Sequence, residues 1–392
     1  MSNETLTEAK RAKKDEFYTQ FTDIQREMDA YLEYDENVFK GKTILLPCDD
    51  PEWSNFTKFF AQNFSRFGLK KLISTSFAVE SKALKSGYQP SLFEESNPIF
   101  DKKKTRLNGK IFTLSKDISG DGRIDIDDIE WKYLDGDGDF QSSEITNLRN
   151  EADIIITNPP FSLFKEFLSW IFEGKKEFII IGNMNAITYK EVFPLIKNNK
   201  MWTGKRFNQR VDGKNMTFIV PDDYPLSGTE VEKDKNGRKL ISVSGTGWYT
   251  NLVHGRRHEP LKLMTKADNL RFNKKLKDKY AYEKYQNYNA IEVPYTESIP
   301  SDYKGVMGVP ISFLNKYCPE QFEIVGMCEN FDLYGLRTKK YSTEECKEAY
   351  YKKFNKEGVY DLNASAVLLK EGILEKSYQR VLIRHKNNEN NS

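Results

Sequence analysis

Histidine is scarce in this chain, with three residues in 392: His254, His258 and His385. That leaves little scope for a histidine-based triad or a multi-histidine metal centre. Four cysteines, Cys48, Cys318, Cys328 and Cys346, stand without CxxC spacing. They fit a reducing compartment and give no zinc site. No apolar run approaches the ~18 residues that a membrane helix requires. No charged segment followed by an apolar stretch opens the chain either. The expectation is a cytoplasmic, unanchored protein. An excess of one charge is also missing: 60 Lys and Arg stand against 58 Asp and Glu, a net of +2. Nucleic-acid binding therefore has to be argued from a local patch.

What is present reads as a soluble α/β protein, long enough for one large domain or two. Residues 1–14 are polar and resemble a flexible arm. Helical periodicity follows at Phe21, Ile24, Met28 and Leu32. Thr43–Pro47 is a short apolar strand, Ser54 can cap a helix through Phe59, Phe60 and Phe64, and Lys71–Ser76 is a second strand. A strand at 153–157, a helix from Ser162 to about Glu173 and a strand at Glu177–Gly182 continue the alternation. Met201–Val220 and Lys239–Leu252 read as further strands. Strand and helix in alternation predict a doubly wound sheet with helices on both faces.

The densest chemical signal is ADIIITNPPFSLF, residues 152–164. Ile154–Ile156 reads as a buried parallel strand. Pro159 and Pro160 cannot continue its ladder, so the chain leaves the sheet stiffly there. Open α/β sheets bind ligands at the carboxyl ends of their strands. The motif thus sets an amide, a backbone carbonyl and an aromatic ring at a ligand mouth. That set suits an exocyclic amine on a planar base. The Asn158 side chain and the Pro159 carbonyl accept the amine's two hydrogens, and Phe161 stacks on the ring. Asn158-Pro159-Pro160-Phe161 resembles the signature of amino-methyltransferases that act on adenine in DNA. The plainer reading is a proline-rich turn.

A methyl donor has to sit beside that mouth, and in this class it is S-adenosylmethionine. TILLPCDDPEWSNF offers a turn after the first strand, carboxylates at Asp49 and Asp50, and helix-start N–H groups near Ser54, Asn55 and Phe56. The generic GxG fingerprint is absent here, and a surface turn capping a helix is the alternative. Tyr18 and Thr19, in DEFYT, form a second candidate contact; an ordinary helix start with an aromatic anchor competes with it. LDGDGDFQSSE, residues 134–144, is a third. Asp137 or Asp139 could bond the cofactor's adenine amine while Phe140 packs on its ring.

An acidic stretch precedes this loop. Asp117, Ser119, Asp121, Asp125 and Asp128 fall at positions 1, 3, 5, 9 and 12 of an EF-hand-type loop, with Gly122 at position 6. Position 12 is Asp where the pattern has Glu. A surface β-hairpin is the reading adopted, with no metal site expected. For DNA contact the candidates are Arg206, Arg210, Arg256, Arg257, Lys274, Lys275 and Lys277, with Lys262, Lys266, Arg271 and Lys279 nearby and Tyr280, Tyr282 and Tyr285 interleaved. A solvated helix face is the competing reading of the lysine run.

With these places in hand, the chain resembles the EcoRI-type adenine-specific DNA methyltransferases. The matching segments are residues 13–20, 48–64, 68–74, 136–144, 153–168, 185–204 and 305–324. The resemblance implies a Rossmann-like, S-adenosylmethionine-dependent methyltransferase sheet with helices on both faces, followed by a C-terminal DNA-recognition region. It implies a catalytic domain over 15–204, with an acidic insertion at about 115–132. A target-recognition region over 205–392 would follow, with a polar insertion at about 331–365. It also implies a monomer that methylates adenine N6 in double-stranded DNA, partnered by a restriction endonuclease of the same site. Methylation of RNA or a protein amide is the alternative within enzymes. A non-catalytic DNA- or calcium-binding protein with a degenerate fold is the alternative outside them.

Overall fold

The apolar runs do become the centre of a sheet, and the order of its strands places the site. The computed structural model describes residues 18–49, 54–78, 97–207, 216–220, 231–234, 237–243, 245–276 and 281–386. Its first unit holds β1 (Tyr18–Thr19), α1 (Phe21–Tyr34), β2 (Thr43–Leu46), α2 (Asn55–Gln62), α3 (Phe64–Phe67) and β3 (Lys71–Ser76). There follow α4 (Lys102–Leu107), β4 (Lys110–Leu114), β5 (Glu130–Tyr133), α5 (Ser143–Glu151), β6 (Ile154–Thr157), α6 (Phe164–Glu173) and β7 (Glu177–Asn183). Strands β8 (Trp202–Phe207), β9 (Thr217–Ile219), β10 (Val231–Lys233), β11 (Lys239–Ser242) and β12 (Thr246–Thr250) complete it.

Eight strands form the main sheet in the order β5-β4-β3-β2-β6-β7-β12-β8. Its middle, β3-β2-β6-β7, is parallel. Every residue of β2 and of β6 is buried, as expected for strands covered on both faces. The chain steps from β2 outward to β3, then returns to β6 on the other side of β2. The strand order therefore reverses between β2 and β6. Strand β12 runs antiparallel between β7 and β8, a return the sequence pattern did not announce.

Helix α2 starts at its Ser54 cap, whose hydroxyl accepts the Phe56 N–H at 3.1 Å. Its Phe56, Phe59 and Phe60 recur at three- and four-residue spacing and are buried in the main core with Ile44, Leu46, Ile154 and Trp248. Helix α1 is fastened beside β8, where the buried Glu27 carboxylate accepts the Lys205 N–H at 2.8 Å. A second sheet, β1-β9-β11-β10, pairs Tyr18 with Ile219 and Thr19 with Phe218.

The second unit comprises Phe193–Lys200 and Arg256–Ser392, and the first takes in Met201–Gly255. The division expected after residue 204 falls within β8. The second unit contains α7 (Phe193–Lys197), α8 (Lys266–Phe272), β13 (Ala290–Glu292), β14 (Val306–Pro310), β15 (Phe322–Cys328) and α9 (Thr343–Phe354). Strands β16 (Val367–Lys370), β17 (Ile373–Lys376) and β18 (Arg380–His385) follow. Its sheet runs β13-β14-β18-β15, and β16 and β17 form a hairpin.

The acidic insertion is the connection of the β4–β5 hairpin. Its Ile126–Asp128 turn lies against α2, and Ile124 and Ile129 pack on the main core. The Asp128 carboxylate accepts N–H bonds from Ser119 and Ile118, each at 2.8 Å, and from Asp125 at 3.1 Å. These bonds, Ser119's first, hold its pKa down at about 2. A carboxyl held below its unfolded value stabilises above that value, and the effect is lost as pH falls through the folded value. We expect Asp128→Asn to lower the thermal midpoint at pH 7. The gap from wild type should start to close below about pH 4 and vanish near pH 2. A gap of constant size from pH 7 to pH 3 would refute the assignment.

Candidate active site

The reversal between β2 and β6 brings two loops together, and one carboxylate joins them. Asp49, buried after β2, accepts the Ser54 hydroxyl at 2.7 Å on one oxygen and the Thr157 hydroxyl at 2.6 Å on the other. Thr157 closes β6 and immediately precedes Asn158. Its hydroxyl also lies 2.7 Å from the Pro47 carbonyl. The Asp49 N–H donates to the Thr75 carbonyl of β3 at 2.7 Å, and the Asp49 carbonyl accepts the hydroxyls of Thr57 and Ser74. One residue thus ties the first turn to α2, β3 and the mouth of β6. The turn itself is made by Cys48 at φ +66°, a left-handed conformation that L-residues with a Cβ rarely adopt. The missing glycine fingerprint is replaced by a strained cysteine.

Asn158 is half-buried, and Pro159 and Pro160 are buried. The Pro160 carbonyl accepts the Leu163 N–H at 3.0 Å, closing a 3-10 turn over Phe161–Leu163 that leads into α6. Phe161 is half-buried and packs against the main core. Thr19 arrives from β1, its carbonyl accepting the Asn55 side-chain N–H at 2.7 Å. Its hydroxyl oxygen is buried and has no hydrogen-bond partner among the described residues. Tyr18 beside it is half-buried. Asp50 lies outside the described residues.

The 135–139 loop reaches the carboxyl end of β3 through Gly138, at φ +91°. A Cβ there would stand 2.5 Å from the Ser76 carbonyl oxygen, so only glycine allows this approach. The Asp137 carbonyl accepts the Ala78 N–H at 2.8 Å. The two carboxylates, both half-buried, accept loop N–H groups: Asp137 from Asp139 at 3.2 Å, Asp139 from Gln141 at 2.9 Å. Phe140 departs from expectation. Its ring is 1% exposed and meets Phe167 and Trp170 edge-on at 5.0 and 5.7 Å. It anchors the loop in the core and presents no face to a ligand. Of the calcium-like positions, Asp117 accepts the Gly120 and Gly122 N–H groups, Asp121 that of Arg123 and Asp125 that of Asp127. The Ser119 hydroxyl donates to Asp117 at 3.3 Å. Among the described residues, no three His, Cys, Asp or Glu side chains group as a metal site.

The candidate DNA contacts fare unevenly. Arg257 is buried, donates to Asn199 at 2.8 Å and lies over the Tyr317 ring. Burial pulls its guanidinium below the ordinary value. It braces the second unit and is withdrawn from the phosphate-contact set. Tyr285 is buried likewise, its hydroxyl donating to Glu292. Arg256 is half-buried, while Lys274 and Lys275 are exposed, Lys275 pairing with Glu297 at 3.3 Å. Lys262, Lys266 and Arg271 are exposed too. Tyr282 is half-buried, its hydroxyl donating to the Ser298 carbonyl at 2.6 Å. Arg206 belongs to β8. Arg210, Lys277, Lys279 and Tyr280 lie outside the described residues. Thr157 and Thr57 were not expected at the site; a lone hydroxyl closing the apolar run of β6 was the available signal.

An α/β sheet whose parallel order reverses at an Asn-Pro-Pro-Phe mouth defines an amino-methyltransferase. The chain belongs to the family described as adenine-specific methyltransferase EcoRI, which it matches over residues 5–386. It is 43% identical to the Type II methyltransferase M.EcoRI of Escherichia coli over 331 residues, 84% of this chain and 91% of that relative. It is 34% identical to the Type II methyltransferase M.MpnI of Mycoplasma pneumoniae over 326 residues, 82% of this chain and 85% of that relative. M.MgeORF184P of Mycoplasma genitalium, also a Type II methyltransferase, is 34% identical over 324 residues, 82% of this chain and 86% of its own. No solved structure matches the chain. The chain is an adenine-specific DNA methyltransferase of the restriction–modification kind, and methylation of RNA or protein and a non-catalytic role are not favoured.

Asp49→Ala removes the acceptor of the buried Ser54 hydroxyl and the carboxylate that joins it to Thr157, which keeps the Pro47 carbonyl. Leaving such a donor unsatisfied costs about 1–3 kcal/mol. We expect that loss in urea denaturation; a loss below about 1 kcal/mol would show that Asp49 does not couple the loops.

Proposed function

We propose that the reversal holds S-adenosylmethionine on its β2 side and a flipped adenine on its β6 side. The Thr157–Asp49 hydrogen bond, 2.6 Å long, carries the reading, because it locks the turn after β2 to the residue before Asn158. The residues fit such a cofactor. The unmatched Thr19 hydroxyl, the helix-start N–H groups near Asn55 and the carboxylates of Asp137 and Asp139 suit a ligand with a carboxylate, an ammonium group and an adenine. Tyr18, Ser54 and Asp49 frame that side; Ser54 and Asp49 act by shaping the turn. S-adenosylmethionine supplies an electrophilic methyl group on sulfonium.

Adenine N6 is a poor nucleophile, since its lone pair is delocalised into the ring. The Asn158 side-chain oxygen and the Pro159 carbonyl accept its two N–H bonds and draw it toward tetrahedral geometry. Its lone pair then becomes available for in-line attack, and no covalent enzyme intermediate is needed. Pro159 and Pro160 fix the backbone that aims these acceptors. Phe161, supported from behind by the core, offers a ring face to the base. A base inside a duplex is out of reach, so it must be flipped, at a cost of a few kcal/mol. Stacking and backbone contacts offset that cost, while positioning and electrostatics supply the rate.

Arg256, Lys274 and Lys275 are the described cations we assign to the DNA backbone. We further infer a cytoplasmic monomer that protects DNA against an endonuclease of the same specificity. Sequencing DNA from cells expressing the chain, read for N6-methyladenine, tests the target directly.

Asn158→Ala should keep the fold and duplex binding while losing a hundredfold to a thousandfold in single-turnover rate, roughly 3–4 kcal/mol for a preorganised group of this kind. Retention of more than about a tenth of the wild-type rate would remove Asn158 from this role. Lys274→Ala should make duplex binding less salt-sensitive, lowering the log–log slope by about one. An unchanged slope would place Lys274 off the phosphates.

A further inference from the structure

Two loops leave one end of the second unit's sheet, and both hold an aromatic ring in solvent. Cys328, last in β15, pairs with Arg380, first in β18. The Gln379 side chain donates to the Cys328 carbonyl at 2.8 Å. Beyond that rung Phe331 is 74% exposed and Tyr378 is 87% exposed.

Neither backbone is loose. The buried Glu329 carboxylate accepts the N–H groups of Phe331 and Leu333, both at 2.7 Å. Asp332, at φ +49°, accepts those of Leu336 at 2.9 Å and Arg337 at 3.1 Å. The Arg337 guanidinium then gathers the carbonyls of Glu329, Asn330 and Asn363 at 2.5–3.0 Å. Tyr334 and Leu336 fold back over Gly326 of β15, where a Cβ would clash with them. On the other loop, the Tyr378 carbonyl accepts the hydroxyls of Ser365 at 3.1 Å and Ser377 at 2.9 Å. The rung is rooted in a buried ion pair, Arg380 to Glu292 at 2.6 Å.

An exposed aromatic on a slack loop is ordinary. Here hydrogen-bonded backbone carries both, so the ordering entropy of the loops is spent before any partner arrives. The carboxylates nearest in chain, Glu329 and Asp332, are turned inward onto N–H groups. Exposed Lys340 follows in the same segment, beside Lys339, which pairs with Glu345 at 2.9 Å, and Lys197 lies over the Tyr334 ring at 5.3 Å. Two exposed rings with Lys340 and Lys197 in the segments around them have the chemistry to meet stacked bases between phosphates.

We propose that Phe331 and Tyr378 are stacking elements for duplex DNA, rings on hydrogen-bonded loops that wedge against a base step of the substrate. The proposal rests on the adenine-DNA methyltransferase reading. It gives a role to the start of the insertion at 331–365, which the catalytic site leaves without one.

The test uses the full chain and a duplex containing the sequence it methylates, located by mapping N6-methyladenine in treated DNA. Phe331→Ala and Tyr378→Ala should each raise the Kd for the duplex roughly tenfold, and the double variant more. The salt slope, the thermal midpoint and the Kd for S-adenosylmethionine should stay at wild-type values, because stacking releases no counterions. A Trp placed by Phe331→Trp should lose accessibility to acrylamide when the duplex binds. A double variant within twofold of wild-type affinity, or a Trp equally quenched with and without duplex, would overturn the proposal. So would a change in sedimentation with affinity unchanged, which would assign the rings to a second copy of the chain. Label transfer from S-adenosylmethionine to the duplex by wild type reports the methylation reading separately, so the two can fail independently.

Discussion

The structure of the catalytic unit hangs on the buried carboxylate of Asp49. A polar group taken out of water is costly unless hydrogen bonds replace its hydration. Here Ser54 and Thr157 do so from two different segments, and the residue's own backbone engages Thr75, Thr57 and Ser74. These hydrogen bonds therefore fasten the start of α2, the turn after β2 and the mouth of β6 to one another. Strained geometry at Cys48 survives because its neighbours on both sides are fixed this way.

Much of this was legible in the residues. Short runs rich in apolar and β-branched residues, bounded by turn residues, gave β2, β3, β6 and β7 within a residue or two, because such side chains fit a buried pleated strand. The Asn158–Phe161 mouth could be placed at a strand end because two prolines cannot stay in a ladder. The failures share a cause. Phe140 and Arg257 were read as ligand contacts from their residue type, yet what decides their role is a partner distant in sequence: Phe167 and Trp170 for one, Asn199 and Tyr317 for the other. The pairing of β1 with β9 and the insertion of β12 beside β7 are also long-range matters, invisible to local periodicity. The boundary expected after residue 204 falls inside β8, which joins the sheet only through β12.

The two units solve the problem of charge differently. In the first, the Asp49 carboxylate accepts the hydroxyls of Ser54 and Thr157. The second buries an ion pair, Arg380 with Glu292, joined by the Tyr285 hydroxyl. A buried pair of this kind adds little net stability but tolerates few rearrangements. It fixes which residues stand at the sheet's end.

The short excursion Phe193–Lys200 has a consequence for biosynthesis. The polypeptide passes between the two units at 192/193, again at 200/201 and again at 255/256. Neither unit is a continuous stretch of chain, so neither can be cut out by choosing two ends. During translation the main sheet waits for β12, some fifty residues after the excursion has emerged. Residues 193–200 must wait longer still, until the strands from 290 onward are made. The apolar side chains of that segment, Phe193 and Ile196 among them, stay without their final neighbours through that interval. The fold thus commits late, and a ribosome stalled before residue 256 would release a chain with a nearly finished catalytic sheet and an unburied helix.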